Sequence, residues 1–291
     1  MNKMKKRGTG DFLIFALPTV AAFLVAFVFP FLMGIYLSFT SFTTVSDAVF
    51  TGLENYAAVI RSGGDFLRSL KFTAAFSLIS VITVNLTGFL LALALSSYVY
   101  GKTFFKTVFF MPNLIGGIVL GYIWQLILNG ILKNFGVTLT TSEKYGFWGL
   151  VVLNLWQMAG YMMVIYVAGI ASVPKGVLEA AKVDGANYLT TLFRIIIPNL
   201  KESFTICIFL TLTNSFKTFD QNLSLTGGAP SGKSSMLALN IYETFYGGVG
   251  REGQGQAKAV LFSALVAFAA FLQFYLSRDG KGFKKWKKEK R

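Results

Sequence analysis

Two stretches in the last third of the chain carry residue types and spacings that could do chemistry. Gly227-Gly228-Ala229-Pro230-Ser231-Gly232-Lys233-Ser234 satisfies G-x-x-x-x-G-K-S. At that spacing a glycine-rich loop can cradle nucleotide phosphates on its backbone N–H groups. The chemistry requires the loop to join a β-strand to a helix inside a parallel-sheet domain. Nothing around this stretch reads as such a domain, and no apolar strand ending in a Mg²⁺-binding Asp follows it. Its Gly, Pro and Ser residues are expected to build turns. The second stretch holds Asn214, Ser215, Lys217, Thr218, Asp220 and Gln221, interleaved with Phe216 and Phe219. Planar hydrogen-bonding groups beside aromatic faces suit a hydroxyl-rich ring such as a sugar. The same amides also suit helix–helix hydrogen bonds, and both readings stand. Lys217 and Asp220, three apart, could simply pair with each other.

Other chemistries are excluded by what the chain lacks. There is no His and a single Cys, Cys207, so imidazole-based metal sites, Ser–His or Cys–His catalysis and a disulfide framework are gone. Hydrophobic residues make up 54 % of the 291 and charged ones only 14 %, against roughly a quarter in soluble domains. Much of the surface therefore does not face water. The formal net charge of +14 would suggest nucleic acid on a soluble protein. Here the basic residues sit at the ends of apolar runs, and no nucleic-acid partner is expected.

Those runs are the elements that must position the polar residues. Phe12–Ser46, Phe72–Tyr100, Thr107–Leu132, Tyr145–Pro174 and Ala259–Ser277 contain no charge, and a bilayer crossing takes roughly 20 apolar residues. Ser203–Phe216 is shorter and crosses only if it extends from about Asn199 to Asn222, keeping Lys217 and Asp220 inside or at its mouth. Six spans result, at about 12–39, 72–100, 107–130, 146–173, 199–222 and 257–277, within a transmembrane domain of residues 11–277. Eighteen of the 27 Lys and Arg fall on the side holding residues 1–10, the 101–107 turn, the 174–201 loop and the tail 278–291. The basic side is cytoplasmic, so both termini are predicted inside. Lys3, Lys5, Lys6 and Arg7 resemble a signal-peptide n-region, but the following run is too long for a signal core and no small-residue cleavage site closes it. The tail Lys281–Arg291 (KGFKKWKKEKR) is expected to anchor on anionic lipid headgroups. Tyr98, Tyr100 and Trp148 are expected at the membrane interface. Asn85, Gln125 and Gln273 are expected to join helices.

The longest cytoplasmic segment reads VPKGVLEAAKVDGANYLTTLFRIIIPNLK from Val173 to Lys201. A helix over Val177–Val183 is expected to end at the Asp184-Gly185 turn. A second helical stretch, Asn187–Ile197, is expected to stop at Pro198. Physics alone allows an amphipathic connector or a surface into which another protein docks. Glu179-Ala180-Ala181, Asp184-Gly185-Ala186, Phe193, Ile195 and Pro198 resemble the EAA loop of ABC importer permeases, with Ile197 where that family usually has Leu. The resemblance implies an all-α membrane protein whose EAA coupling helix docks into an ATP-binding subunit through Glu179, Ala180, Ala181, Asp184 and Gly185. Met111-Pro112-Asn113, Asn154-Leu155-Trp156, Leu225–Pro230, Asn240-Ile241-Tyr242 and Gly253–Ala257 are similar to the carbohydrate permeases of that superfamily.

By that resemblance, Asn214, Ser215 and Thr218 fall where maltose-type permeases line their sugar site, with Asn113, Trp156 and Gln157 beside them. The resemblance further implies a second homologous permease, two copies of a cytoplasmic ATPase and an extracellular sugar-binding protein, in a bacterial-type cell membrane. ATP and Mg²⁺ would be bound by the partner ATPase, so this chain needs no cofactor, is not an enzyme and holds no metal. Alternative cargoes are a polyol or a sugar phosphate. An ion-driven carrier would need more mid-membrane acid than Asp220 and a visible internal repeat. An intramembrane enzyme would need a catalytic dyad that the spans do not contain.

Overall fold

The computed structural model describes residues 14–61, 64–96 and 100–277. The basic N-terminal segment, the tail and Tyr98 lie outside these residues. The helices, in chain order, are α1 (Leu17–Leu37), α2 (Glu54–Arg61), α3 (Asp65–Ser96), α4 (Lys102–Phe110), α5 (Gly117–Leu132) and α6 (Glu143–Ala171). They continue as α7 (Lys175–Val183), α8 (Tyr188–Asn199), α9 (Lys201–Phe216), α10 (Asp220–Leu225), α11 (Leu237–Tyr246) and α12 (Glu252–Ser277). Five of these are long and apolar enough to cross a membrane, or six if α8 and α9, bent by 68°, count as one span.

By contacts the chain divides into two units, Met1–Gly64 with Ile241–Phe262, and Asp65–Asn240 with Ser263–Arg291. In the first unit, α1 exposes Phe23, Val25, Phe27 and Phe29, as an apolar helix does when lipid or another chain is to cover it. After α1 the chain turns through a two-stranded hairpin, β1 (Thr40–Ser41) and β2 (Val49–Phe50), with Thr40 opposite Phe50. The amide of Asn55 secures it, donating to the carbonyls of Ser38 (3.0 Å) and Thr40 (2.8 Å). A Cβ at Gly253 would overlap the Thr40 carbonyl, so this position needs Gly for the start of α12 to lie there.

Asp47 caps the hairpin loop by accepting from the N–H groups of Thr43 and Thr44 and from the Thr43 hydroxyl. The Thr43 hydroxyl, with the two amides, holds its carboxyl down to about 2 from an ordinary 3.8. A depressed carboxyl contributes order above its ordinary value and loses it as pH falls through the lowered one. Amide-exchange protection over residues 43–47, corrected for intrinsic rates, is therefore expected to persist at pH 5 and fade between about 3.8 and 2. Asp47→Asn is expected to remove the protection at neutral pH.

The second unit is built on α3 and α6, which run parallel. Phe76 meets Phe147 (ring centroids 6.5 Å) at one end and Phe89 meets Tyr166 (5.5 Å) further along. α9 lies antiparallel to α3, since Asn85 bonds Thr211 while Phe89 reaches back to Phe204. Their shared core holds Val84, Phe89, Met162, Tyr166, Leu200 and Cys207, all buried. A second core of Phe72, Phe76, Leu150, Leu153, Leu225 and Met236 closes the other end.

The third predicted span is not one helix. α4 ends at Phe110, a 3₁₀ turn takes Met111–Leu114, and α5 begins only at Gly117. Pro112 lacks an N–H and its ring opposes a continued α-turn, while Ile115 is extended. The fifth predicted span is also divided, because Lys217–Phe219 are not helical and α10 starts at Asp220. The expected stop at Pro198 does not occur. A π-turn over Leu192–Ile196 absorbs the proline and the helix bends only at Leu200. α3 begins at Asp65 rather than 72, and α12 at Glu252 rather than 257, with Lys258 buried in its first turns and donating to the Thr244 hydroxyl (2.7 Å).

Candidate functional site

The two divided spans meet. Gly117 and Gly121 give α5 a small-residue face one turn long, and α10 lies against it. A Cβ at Gly117 would come 2.7 Å from Asp220 Cβ, and one at Gly121 would overlap the Ser224 side chain. Such close approach is how small-xxx-small faces pack helices in membranes. It carries Gln221 across to α6, where its Nε2 donates to Gln157 Oε1 (2.9 Å). Gln157 Nε2 in turn faces the Ile115 carbonyl (3.3 Å), freed by the break in the third span. Unwound backbone at membrane depth is tolerated where protein covers it or where it lines a cavity. The Gln221–Gln157–Ile115 chain is that cover.

Of the six candidate substrate residues, Asn113 turns onto α6, its Nδ2 lying 3.5 Å from Met158 Sδ, while Gln157 of α6 faces Gln221 and the Ile115 carbonyl. Asn214 is exposed and Ser215 is buried. Thr218 is buried and its hydroxyl donates to the Asn214 carbonyl (3.2 Å). Trp156 is half exposed, edge-on to Trp124 (5.6 Å), and lines an apolar cavity of about 600 Å³ with Phe109, Met111, Pro112 and Leu155. Gln157, the next residue, is buried and reaches the carbonyl of Ile115, which also lines that cavity. Lys217 and Asp220 are both exposed where the fifth span opens, and no salt bridge joins them. Sequence reasoning left Gln221 out of the site; the Gly117–Gly121 spacing was the available signal.

The helix-joining amides do join helices. Asn85 accepts from the Tyr166 hydroxyl (2.8 Å) and donates to Thr211 (3.2 Å). Gln125 donates to the Leu225 carbonyl and Gln273 to that of Thr205. Of the expected belt residues, Tyr100 and Trp148 are exposed.

The G-x-x-x-x-G-K-S stretch follows α10, not a strand. The N–H groups of Gly227, Gly228, Ala229, Lys233, Ser234 and Ser235 all bond oxygens of Asn222–Gly232. Asn222 ties the loop down from within, donating to the Ser234 carbonyl and accepting from Met236 N–H. With most of its amides spent internally and no strand leading into it, the loop lacks the row of free N–H groups that a phosphate cradle needs. Lys233 is exposed at its edge, and Lys233→Ala is expected to leave transport of the assembled complex within error of wild type.

In the 174–201 loop, Pro174 sits at the N-cap of α7. α7 ends in a Schellman motif: Ala186 N–H bonds the Ala181 carbonyl (2.9 Å) and Gly185 N–H that of Lys182 (3.1 Å). Gly185 has φ 76°, where a side chain is strained. Asn187 then caps α8 by accepting from Thr190 N–H (2.8 Å). Glu179, Ala180, Asp184 and Gly185 are exposed, and so are the apolar Val177, Val183, Tyr188 and Phe193. Ala181 is buried, so it seats α7 on its own chain and does not face outward.

Several apolar helices, two of the predicted crossings interrupted and one of the breaks covered by the Gln157 amide, define a multi-pass membrane protein. Residues 84–280 match the family model of the binding-protein-dependent transport system inner membrane component, and the chain belongs to that family of ABC importer permeases. It is 39 % identical over 274 residues to the probable starch degradation products transport system permease protein AmyD of Thermoanaerobacterium thermosulfurigenes, covering 91 % of this chain and 93 % of that one. It is 28 % identical to the multiple sugar-binding transport system permease protein MsmF of Streptococcus mutans, over 87 % and 90 % of the two chains. In fold it matches a bacterial alginate ABC transporter, crystallised in complex with an alginate pentasaccharide-bound periplasmic protein, with a TM-score of 0.76 and 21 % identity over 92 % and 94 % of the chains.

Proposed function

We infer that this permease forms half the pore of an ATP-driven importer of oligosaccharides. The observation that carries the reading is the divided fifth span, which opens the bundle at Lys217–Phe219 and leaves Asn214, Lys217 and Asp220 exposed beside the Gln157–Gln221 pair. Polar groups at membrane depth belong to a cavity or a substrate path, and amides beside Phe216 and Phe219 suit sugar hydroxyls and ring faces. The likeness to AmyD and MsmF, permeases named for starch products and multiple sugars, supports a sugar cargo, and membership of a binding-protein-dependent family supports delivery by a binding protein. A second homologous permease completes the pore. Two copies of a cytoplasmic ATPase bind ATP and Mg²⁺ and close on α7, whose exposed Glu179, Ala180, Asp184 and Gly185 meet the cleft. Closure rocks the helices between inward- and outward-open arrangements, and the cargo crosses without chemical change. Both termini and the α7–α8 loop lie in the cytoplasm.

The test is uptake of labelled malto-oligosaccharides by vesicles holding the whole complex, alongside a polyol and a sugar phosphate as competing cargoes. Asn214→Ala is expected to weaken sugar uptake with the complex intact, since a bound sugar hydroxyl that loses its hydrogen-bond partner costs about 1–3 kcal/mol. Undiminished uptake across sugar concentrations in Asn214→Ala and Thr218→Ala alike moves the site elsewhere. Preference for the polyol or the sugar phosphate replaces the cargo.

A further inference from the structure

The core between α3, α6 and α9 contains four polar atoms with no hydrogen-bond partner: Ser77 Oγ, Ser80 Oγ, Asn154 Nδ2 and Ser215 Oγ. Their residues are at most 7 % exposed. The helix register brings three of them to one level. α3 and α6 are parallel, and a Cβ at Gly88 would lie 2.9 Å from Met162 Cβ. Ser80 precedes Gly88 by eight residues, as Asn154 precedes Met162. α9 is antiparallel to α3, with Asn85 bonded to Thr211. Ser215, four residues past Thr211, therefore comes level with residue 81 of α3, beside Ser80. Ser77 lies one turn from Ser80 on the same face of α3.

Ser80, Asn154 and Ser215 thus share one level, with Ser77 a turn along α3, and together they form a polar layer two turns deep at most. On one side is the bonded Asn85–Tyr166–Thr211 set, and on the other the aromatic layer of Phe72, Phe76 and Phe147. Buried polar atoms almost always find a partner, from protein or ordered water. A buried water makes two to four hydrogen bonds to otherwise unsatisfied groups, and here three hydroxyls and one amide N–H₂ are offered. The donor set decides the ligand. Asn154 presents an N–H₂ group, which repels a cation, and no carboxylate or Cys belongs to the layer.

We propose that this layer binds ordered water, which bridges Asn154 on α6 to the serines of α3 and α9. The bridge supplies the Asn154 amide with an acceptor that no protein atom provides, and it joins three spans at a level where no direct side-chain bond does so. The competing arrangement is dry, with each serine hydroxyl turned onto the carbonyl four residues back, as Thr73 and Thr211 are.

A cryo-electron-microscopy map of the full-length chain with its partner subunits, fine enough to show ordered water, decides between them. Density within hydrogen-bond distance of Asn154 Nδ2 and at least one serine hydroxyl is expected. Serine hydroxyls on their own helix carbonyls with no density between them overturn the proposal. Thermal unfolding gives an independent reading. Ser80→Ala and Asn154→Leu are each expected to lower Tm, and the double variant to lower it no further than Asn154→Leu alone, because both act through the same water. A full additive loss, or a Ser80→Ala Tm equal to wild type, counts against the bridge. If the variants do not fold, the wild-type map still decides.

Discussion

Gly185→Asp is expected to reduce ATP-driven uptake to background while leaving the chain in the membrane. Gly185 closes the Schellman motif of α7 at φ 76°, and nothing of its own chain lies near where a Cβ would point. The fold therefore has room for a side chain, and backbone strain is the only local cost. Asn and Asp both tolerate the left-handed region better than other residues with side chains. Gly185→Asn and Gly185→Asp thus carry similar strain, about 1–2 kcal/mol or less, and differ in charge. Beside Asp184, a second carboxylate at the proposed docking contact must be stripped of water, at a cost of several kcal/mol. Gly185→Asn is expected to keep much of its transport and its ATPase. Gly185→Asp is expected to lose both together, read by co-purification of the ATPase and by sugar-stimulated hydrolysis. An intact, fully active Gly185→Asp complex would reduce the α7–α8 loop to a connector between spans.

The contrast between what the sequence made visible and what it hid follows from the range of the forces. Charge-free runs reveal membrane crossings because the bilayer acts on every residue in turn, and the Asp184-Gly185 turn is a local backbone requirement. Both are readable without neighbours. The breaks at Met111–Ile115 and Lys217–Phe219 depend on partners far along the chain. Pro112 marks the first, but its bared carbonyl at Ile115 is stable only because Gln157 reaches it from α6. The second has no proline, and Asn214, Ser215 and Thr218 read equally well as one continuous polar face. Asn214 and Ser215, neighbours on α9, point outward and inward, and with α10 separated Gln221 takes the place beside Gln157 that spacing on a single helix could not give it. Pro198 misled in the other direction, since the π-turn before it admits a proline without ending the helix. Ala181 misled because the repeated alanines of Glu179-Ala180-Ala181 hide that one of them is buried by its own chain.

Gly121→Val is expected to abolish uptake as fully as Gly185→Asp, but by displacing α10 and not by releasing the ATPase. The first atom of any side chain at Gly121 enters the space of the Ser224 side chain, with the Leu225 N–H only 3.2 Å away. Ser224 is itself fixed by its bond to the Asp220 carbonyl (2.6 Å). The clash therefore cannot be relieved by one flexible side chain, and α10 must move as a body. Overpacking of this kind costs about 1–3 kcal/mol. Movement of α10 also breaks the Gln221–Gln157 bond, leaving the Ile115 carbonyl covered by a glutamine that has lost its orienting partner. Gly130→Val is the control, since Gly130 lies on the same helix with open space around it. It carries the same small gain in helix propensity over glycine, under about 1 kcal/mol, and is expected to transport normally. Binding of the ATPase should survive in both variants, because α7 is untouched. Gly121→Val vesicles that take up sugar at the Gly130→Val rate would mean that α10 is not held against α5 in the working transporter, and that the Gln157–Gln221 pair plays no part in the path.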